Sequence, residues 1–541
     1  MPFKFIQIVI SGFIFLLTLS MPVVANDNLV KTIWIDGYGY DAVLEPNRQL
    51  QIAGSSAEEN LAGKHYKGHF PEDPDSWVRI SRLESGWEGL AFVFGRMQTL
   101  GGSSQSDHAT SFSFSQMEAP QCGVDHVHSE SAITPDSLAD MATVQAVSAN
   151  YDTLCADKVD GACLMMELEL AFDREFQSRF PDDYQSRAAA IVNMVEGFYA
   201  DQFGVVFDTL SLTFMGADLF DSTTDPEMLL NDITYKRGNR EISFLKSEQS
   251  IFHFVSGRNF DNSTAGLAWV GTVCNGSGYA SGITKAFDSN ATTAVIVAHE
   301  IGHNLGAGHD GAGTSCEAGD HIMSPYVDPS ATSFSGCSFT DISNRISELN
   351  AVEQCFNFPA DAGILNVDGN PLEVEPGASF QANFNVAYRQ AAEPADGLTI
   401  TGVVGESEGQ LQGVSIDGNP CALLDDTSFS CSGVTARESL PLSINAVAGS
   451  SPTFTLLQNV TLSSSGGEVK DIRPGNDELL TEITVALSET SDSDTSGTPR
   501  KTDSDTSDSS GSSGGGGGGA MHWLWVLLGI TGAGIRRRSL G

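Results

Sequence analysis

The rhythm of hydrophobic and polar positions changes twice along the body of the chain. Residues 26–155 carry alternating runs, such as Trp77-Val78-Arg79-Ile80 and Leu90-Ala91-Phe92-Val93-Phe94, broken by Gly and Ser turns. Period-two alternation between turn signals predicts a β-rich first domain. From about Ala162 the pattern shifts. Residues 164–172 predict a strand, and 185–203 place Ala189, Ile191, Val192, Met194, Val195 and Phe198 at helical spacing. Residues 205–214 predict a strand again, and a strand–helix–strand order predicts a mixed α/β domain. From about Pro359 to Ser488 the helical period disappears. Short runs at 380–386, 398–404, 440–446 and 454–462 predict a small β-sandwich, with Cys421 and Cys431 placed to staple it. No chemistry is visible in that sandwich, and no tandem repeat is found.

The two ends follow other rules. Lys4, an apolar run from Phe5 to about Leu19 and the small residues Val23-Val24-Ala25 predict a signal peptide cut after Ala25. The same run would also serve as a retained membrane anchor. Residues 489–519 are Ser, Asp and Thr followed by six glycines at 514–519, and such a segment buries no core. A disordered linker is expected there. Residues 520–535 are apolar and precede Arg536-Arg537-Arg538. This short apolar tail is marginal for spanning a bilayer, although the basic cluster fits a cytoplasmic stop. The expected organisation is therefore multidomain: a signal peptide at 1–25, a β-rich domain at 26–160, an α/β domain at 161–358, a β-sandwich at 359–488, a linker at 489–519 and a transmembrane or sorting tail at 520–541.

Length and composition agree with several folded units. A chain of 541 residues with 40% hydrophobic residues predicts roughly three to four domains. Its net charge of -41, from 69 acidic and 28 basic residues, argues against nucleic acid or an anionic membrane surface as partner. Export would allow disulfides. The nine cysteines are Cys122, Cys155, Cys163, Cys274, Cys316, Cys337, Cys355, Cys421 and Cys431, so at least one has no partner within the chain.

The chemistry concentrates in Ala298-His299-Glu300-Ile301-Gly302-His303-Asn304-Leu305-Gly306-Ala307-Gly308-His309-Asp310. A helix is expected from about Thr292, capped by Asp288, Ser289 or Asn290. Four residues make just over one turn, so His299 and His303 share a face and can bind one zinc ion. Glu300 stands beside the first ligand and can act on a water molecule without ligating the metal. Gly306 allows the chain to leave the helix with positive φ, and the bend returns His309 as third ligand. Three protein ligands leave a fourth tetrahedral position for water, the mark of a catalytic zinc. Zinc would acidify that water and polarise a carbonyl, while Glu300 would take the proton and pass it to the leaving amine. A bare H-E-x-x-H also fits two core histidines. The added glycine and third histidine make that reading poor.

H-E-x-x-H-x-x-G-x-x-H marks the metzincins, and Asp310 directly after the third histidine resembles the adamalysin (reprolysin, M12B) family, which includes snake-venom metalloproteases and ADAM proteases. The family's methionine turn is matched by His321-Ile322-Met323-Ser324-Pro325, which implies Met323 as a packing platform, not a ligand. The resemblance spreads over about residues 164–358 and implies a mixed five-stranded sheet. Thr264-Ala265-Gly266-Leu267-Ala268-Trp269-Val270-Gly271 with Cys274 looks like the family's edge strand, where an extended substrate adds by backbone hydrogen bonds through Gly266, Leu267, Ala268 and Trp269. A buried structural strand would fit the same residues. The family's bonding pattern implies Cys274–Cys355 and Cys316–Cys337, with Cys155–Cys163 as a local pair. Calcium, bound by many relatives, would draw on Glu167 or Glu169 and Asn357. Ser250 stands where the family places an aspartate, which argues against a calcium site.

Residues 65–94 resemble the same family's pro-domain, and Pro120-Gln121-Cys122-Gly123-Val124-Asp125 resembles its cysteine switch. That resemblance implies a Cys122 thiolate as fourth zinc ligand in a latent zymogen. Removing Cys122 leaves eight cysteines for four bridges; a bonded Cys122 with another cysteine free remains the alternative. Asp125, His126 and His128 are expected at the surface. Activation would require cleavage between Cys122 and about Leu164, where no dibasic site stands. Gly-rich linker, short apolar helix and terminal arginines resemble the GlyGly-CTERM sorting signal of certain Gram-negative bacteria. This implies a rhomboid-like sorting protease and type II secretion machinery as partners, and a secreted or cell-surface location. A membrane anchor with a periplasmic catalytic part is the alternative. The expected function is an exported zinc metalloendopeptidase (EC 3.4.24 type) acting on protein substrates. A surface binding or adhesion protein working through its β-sandwich, and an enzyme that cleaves only its own pro-domain, are the competing expectations.

Overall fold

The computed structural model describes residues 29–47, 50–52, 64–101, 108–111, 121–123, 151–245, 251–311, 316, 318–326, 331, 333–349, 355–367, 373–391, 397–405, 409–463, 469–473 and 475–486. The expected leader, linker and apolar tail lie outside these residues, as do Ser250, Asp125, His126 and His128. Among the described residues no helix is long and apolar enough to cross a membrane.

Seven strands close into a barrel: Leu29–Ile35, Tyr38–Pro46, His65–Phe70, Asp73–Leu83, Gly86–Val93, Arg96–Leu100 and His108–Ser111. Successive strands pair antiparallel, and the first and last meet in parallel. Alternation turns every second side chain inward, so Ile33, Leu44, Phe70, Val78, Ile80 and Ala91 fill the interior. Strand Asp73–Leu83 is buried on both faces, because Trp77 and Arg79 also escape solvent.

The next unit is built on parallel strands Val205–Phe214, Leu164–Phe172, Ile251–Ser256 and Ser281–Lys285, with Thr264–Ala268 antiparallel beyond the last. These five do not stand alone. They belong to a thirteen-stranded sheet, which runs on through Phe356–Asn366 into C-terminal strands and also takes up segments from the N-terminal region at both edges of the five. Leu50–Ile52 adds in parallel to Val205–Phe214, and Gln121–Cys122 adds in parallel to Thr264–Ala268.

Helix Tyr184–Phe203, called here the central helix, is buried at every position from 188 to 199. It ends at Gly204, whose left-handed φ of 62° lets its N–H reach back to the Ala200 and Tyr199 carbonyls. Strand Phe356–Asn366 begins against Leu164–Phe172 (Met166 opposite Phe356) and continues into the C-terminal unit beside Ser379–Gln390. No linker therefore separates the two units at residues 358–359. Beyond it, two sheets pack around Phe384, Val386, Leu442 and Ile444 from one and Leu398, Ile400, Leu456 and Ile483 from the other. Disulfides join Cys155–Cys163, Cys274–Cys355, Cys316–Cys337 and Cys421–Cys431, and Cys122 stands outside them, buried.

Candidate metal centre

Helix Asn290–Asn304 carries the first part of the centre. Of the three capping residues open to choice, Ser289 serves: its hydroxyl accepts from the Thr292 N–H at 3.2 Å. Every residue of the helix is buried. Gly306 takes φ of 104° just after it, and the chain then folds back to place His309 beside the two helix histidines.

The three imidazoles converge through Nε2. His309 Nε2 lies 3.2 Å from Nε2 of both His299 and His303, and Cys122 Sγ lies 3.5 Å from His303 Nε2. All four ligand atoms fall within 4.8 Å of one another. Zinc held tetrahedrally at about 2.0–2.1 Å from nitrogen and about 2.3 Å from sulfur has ligand–ligand edges of about 3.3–3.6 Å. The donor set and its spacing fit that ion. The far ring nitrogens are fixed too: Nδ1 of His299 donates to the Ile322 carbonyl at 2.5 Å and Nδ1 of His303 to the Ala307 carbonyl at 2.8 Å. This selects the tautomer with a free Nε2 lone pair. Burial, then the neighbouring His309, pushes His299 down to about 3, against the Ile322 bond, so the ring is neutral as a ligand must be.

Glu300 is fully buried beside them. Its Oε2 accepts from the Cys122 thiol at 3.7 Å, and its Oε1 has no hydrogen-bond partner among the described residues. Burial holds its pKa well above the usual carboxylate range, with the thiol contact pulling the other way. A buried carboxylate with an unused oxygen next to a metal-binding constellation is a natural proton acceptor. Space for it comes from the edge strand: a Cβ on Gly266 would sit 2.4 Å from Glu300 Oε1.

Met323 is fully buried beneath the helix, its sulfur 2.6 Å from where a Gly302 Cβ would stand. Gly302, the first glycine of the motif run, thus lets Met323 approach. Asp310 ties the same region together. Its N–H donates to the Met323 carbonyl at 2.9 Å, and its Oδ1 accepts from Ser335 and Ser338 at 2.8 and 3.1 Å.

Edge strand Thr264–Ala268 is fully buried and holds Gly266, Leu267 and Ala268. Trp269 falls just beyond it. The chain turns there, and Asn304 Nδ2 takes the Trp269 carbonyl at 2.9 Å and the Ser281 carbonyl at 3.1 Å, so that carbonyl already has a donor. The Trp269 indole N–H donates to Thr234 Oγ1 at 2.8 Å. Gln121–Cys122 runs parallel to the edge strand, with Cys122 opposite Gly266. The Gly123 N–H donates to the Gly266 carbonyl at 3.0 Å and the Cys122 N–H to the Pro325 carbonyl at 3.2 Å. Of the calcium candidates, Glu167 instead pairs with Lys470 at 3.5 Å, and Glu169 and Asn357 are buried.

Sequence reasoning did not single out Asn304, Gly266 as the space for Glu300, or the Ile322 and Ala307 carbonyls. Asn304 lies inside the motif, but its task depends on a partner strand distant in sequence. Backbone acceptors leave no side-chain signal at all.

Three imidazoles around one point, a carboxylate alongside and a sheet edge passing over them are the equipment of a metal-dependent peptidase. Residues 165–335 match the model of metallo-peptidase family M12 (Reprolysin_5), which supports a metzincin-type zinc peptidase in that stretch.

Proposed function

We propose that this protein is an exported zinc endopeptidase made as a latent zymogen, with Cys122 as its latch. The observation that carries the reading is one strand doing two things: Gln121–Cys122 occupies the free edge of Thr264–Ala268, and its thiol completes a four-ligand cluster with His299, His303 and His309. An extended protein substrate would use the same edge, by backbone pairing. His299, His303 and His309 would hold zinc, which when bound supplies an acidified water and polarises the scissile carbonyl. Glu300 receives the water proton at Oε2, the oxygen that now faces the thiol, and delivers it to the departing nitrogen. Gly266 keeps the strand close without crowding that carboxylate. While Cys122 stands there, thiol and substrate compete for one position.

Export, the sorting tail, its rhomboid-like protease and type II secretion belong to the same proposal and rest on the terminal sequence patterns alone. Mass spectrometry of the mature form tests them by giving both termini and the metal count together. A retained tail and leader would overturn them.

The catalytic reading is tested by Glu300→Gln in protein freed of the Cys122 segment. Zinc content should stay at one ion per chain, and hydrolysis of an unfolded protein should fall about 10²–10⁴-fold. Chelation should abolish it. Unchanged hydrolysis in Glu300→Gln, or a zinc-free active protein, would remove the proposal. A biological effect that survives Glu300→Gln would favour the adhesion reading.

A further inference from the structure

The barrel sits on the protease unit as a core element sits, not as a removable cover. The central helix presents Asn193, Glu196 and Gly197 toward it, with the first two 0% and 1% exposed. Their polar atoms are met by barrel groups. Asn193 Nδ2 donates to the Tyr66 and Ile80 carbonyls at 3.1 and 3.3 Å. Asn47 Nδ2, at the end of the second barrel strand, donates to Asn193 Oδ1 at 3.0 Å and to Glu196 Oε2 at 2.8 Å. Arg79 lies 3.9 Å from the same Glu196. A seated barrel that lost any of these partners would leave a buried amide or carboxylate unsatisfied, which is costly for each group, so the contact admits one fitted arrangement.

Packing says the same. A Cβ on Gly197 would lie 2.7 Å from the Trp77 ring and 2.9 Å from Arg79 Cγ, so the helix is glycine where the barrel touches it. Trp77 meets Phe198 edge to face at 5.5 Å, and Trp77, Leu90 and Met97 belong to the same apolar core as the protease sheet. Leu50–Ile52 is hydrogen-bonded into that sheet. Glu88 Oε2 accepts from Asn290 Nδ2 at 2.7 Å, at the first turn of the helix that carries His299.

We propose that the barrel is a permanent, non-covalently held subunit of the protease, and that activation removes the Cys122 strand while leaving the barrel in place. The statement about activation rests on the latency reading; the association does not, and its test uses no peptidase assay. Recognition sites for a specific protease are inserted in the full chain on both sides of the Cys122 strand, between Ser111 and Gln121 and between Gly123 and Tyr151, the purified protein is cut, and the products are passed over a sizing column in high salt. Barrel and protease fragments should co-elute, in the parent and in Cys122→Ala alike. Hydrogen exchange of the central-helix amides around Asn193–Gly197 should be unchanged by the cut. Gly197→Leu, which drives a side chain into Trp77, should release the barrel from the cut protein or raise that exchange. A barrel that separates from a folded protease fragment, one released by Cys122→Ala, or central-helix amides that lose protection on cutting would each overturn the proposal.

Discussion

At the sheet edge beside the histidines the N-terminal region touches the protease unit through the three residues Gln121, Cys122 and Gly123, thiol included. On the central helix it does so through several barrel strands, a buried amide network and a tryptophan. The first contact is narrow and lies where chemistry would occur. The second is broad, buried and made on a different helix from the one that carries His299 and His303. A narrow contact can be exchanged for a substrate at modest cost; a broad one that satisfies buried polar groups cannot. One segment of chain thus carries an exchangeable inhibitor and a fixed support, and the two should respond oppositely to mutation.

The sharpest way to break this comparison is Cys122→Ala in the uncut chain. If the thiol contact holds the strand by about 3 kcal/mol, removing it should raise hydrolysis of an unfolded protein about 10²-fold. Thermal stability should move far less than activity, because the change removes one sulfur atom from its contacts with His303, Glu300 and the apolar cluster of Leu267 and Ile283. An uncut Cys122→Ala chain as silent as its parent would mean that the backbone pairs at Gly266 and Pro325, not the thiol, enforce latency.

The converse variant is Trp77→Ala. Trp77 is 6% exposed and bridges the barrel to Phe198, so its truncation should cost about 3–5 kcal/mol. Circular dichroism melts should show a lower midpoint for the whole transition, and the uncut chain should remain latent. A lower midpoint accompanied by released activity would merge the two contacts into one device.

How much of this was legible beforehand differs by region for physical reasons. The zinc helix was readable because ligand geometry demands fixed spacing: His299, Glu300, His303, Gly306 and His309 cannot move in sequence without losing the site. The sandwich strands were readable through alternation, since each sheet has a solvent face; Ser379–Gln390 keeps every second residue buried along most of its length. The barrel's seat was not readable. Trp77 and Arg79 look like the outer face of an ordinary strand, and Asn193, Glu196 and Gly197 like the exposed stripe of a helix. Each becomes buried through a partner more than a hundred positions away. The same holds for the closing of the first domain into a barrel, which depends on the pairing of Leu29–Ile35 with His108–Ser111, and for the strand that carries the protease sheet into the sandwich.

That shared strand supplies the smallest and last test. Strand Phe356–Asn366 makes the sandwich a third kind of neighbour, joined through a continuous sheet. Where it enters, Asp361 lies near Asp471 and Asp477, and Asn476 Nδ2 donates to Asp361 Oδ1 at 2.8 Å. Burial first, then Asp471 and Asp361, push Asp477 up to about 8. A carboxyl whose folded pKa exceeds its unfolded value of about 3.9 binds its proton more tightly when folded. Its contribution is fully present below about pH 4 and is lost as pH rises toward 8, so stability should fall across that window. Asp477→Asn has the shape of the protonated acid and removes the dependence. Discounted for solvent screening, the gain near pH 8 should be about 1 kcal/mol, with none near pH 4. Melts at both pH values read it directly. If the gain shifts the entire transition, barrel, protease and sandwich unfold together, and the exchangeable strand at the edge is the one weak point. If only a separate sandwich transition moves, the shared strand transmits no stability, and the broad contact on the central helix is what distinguishes a permanent neighbour from a passing one.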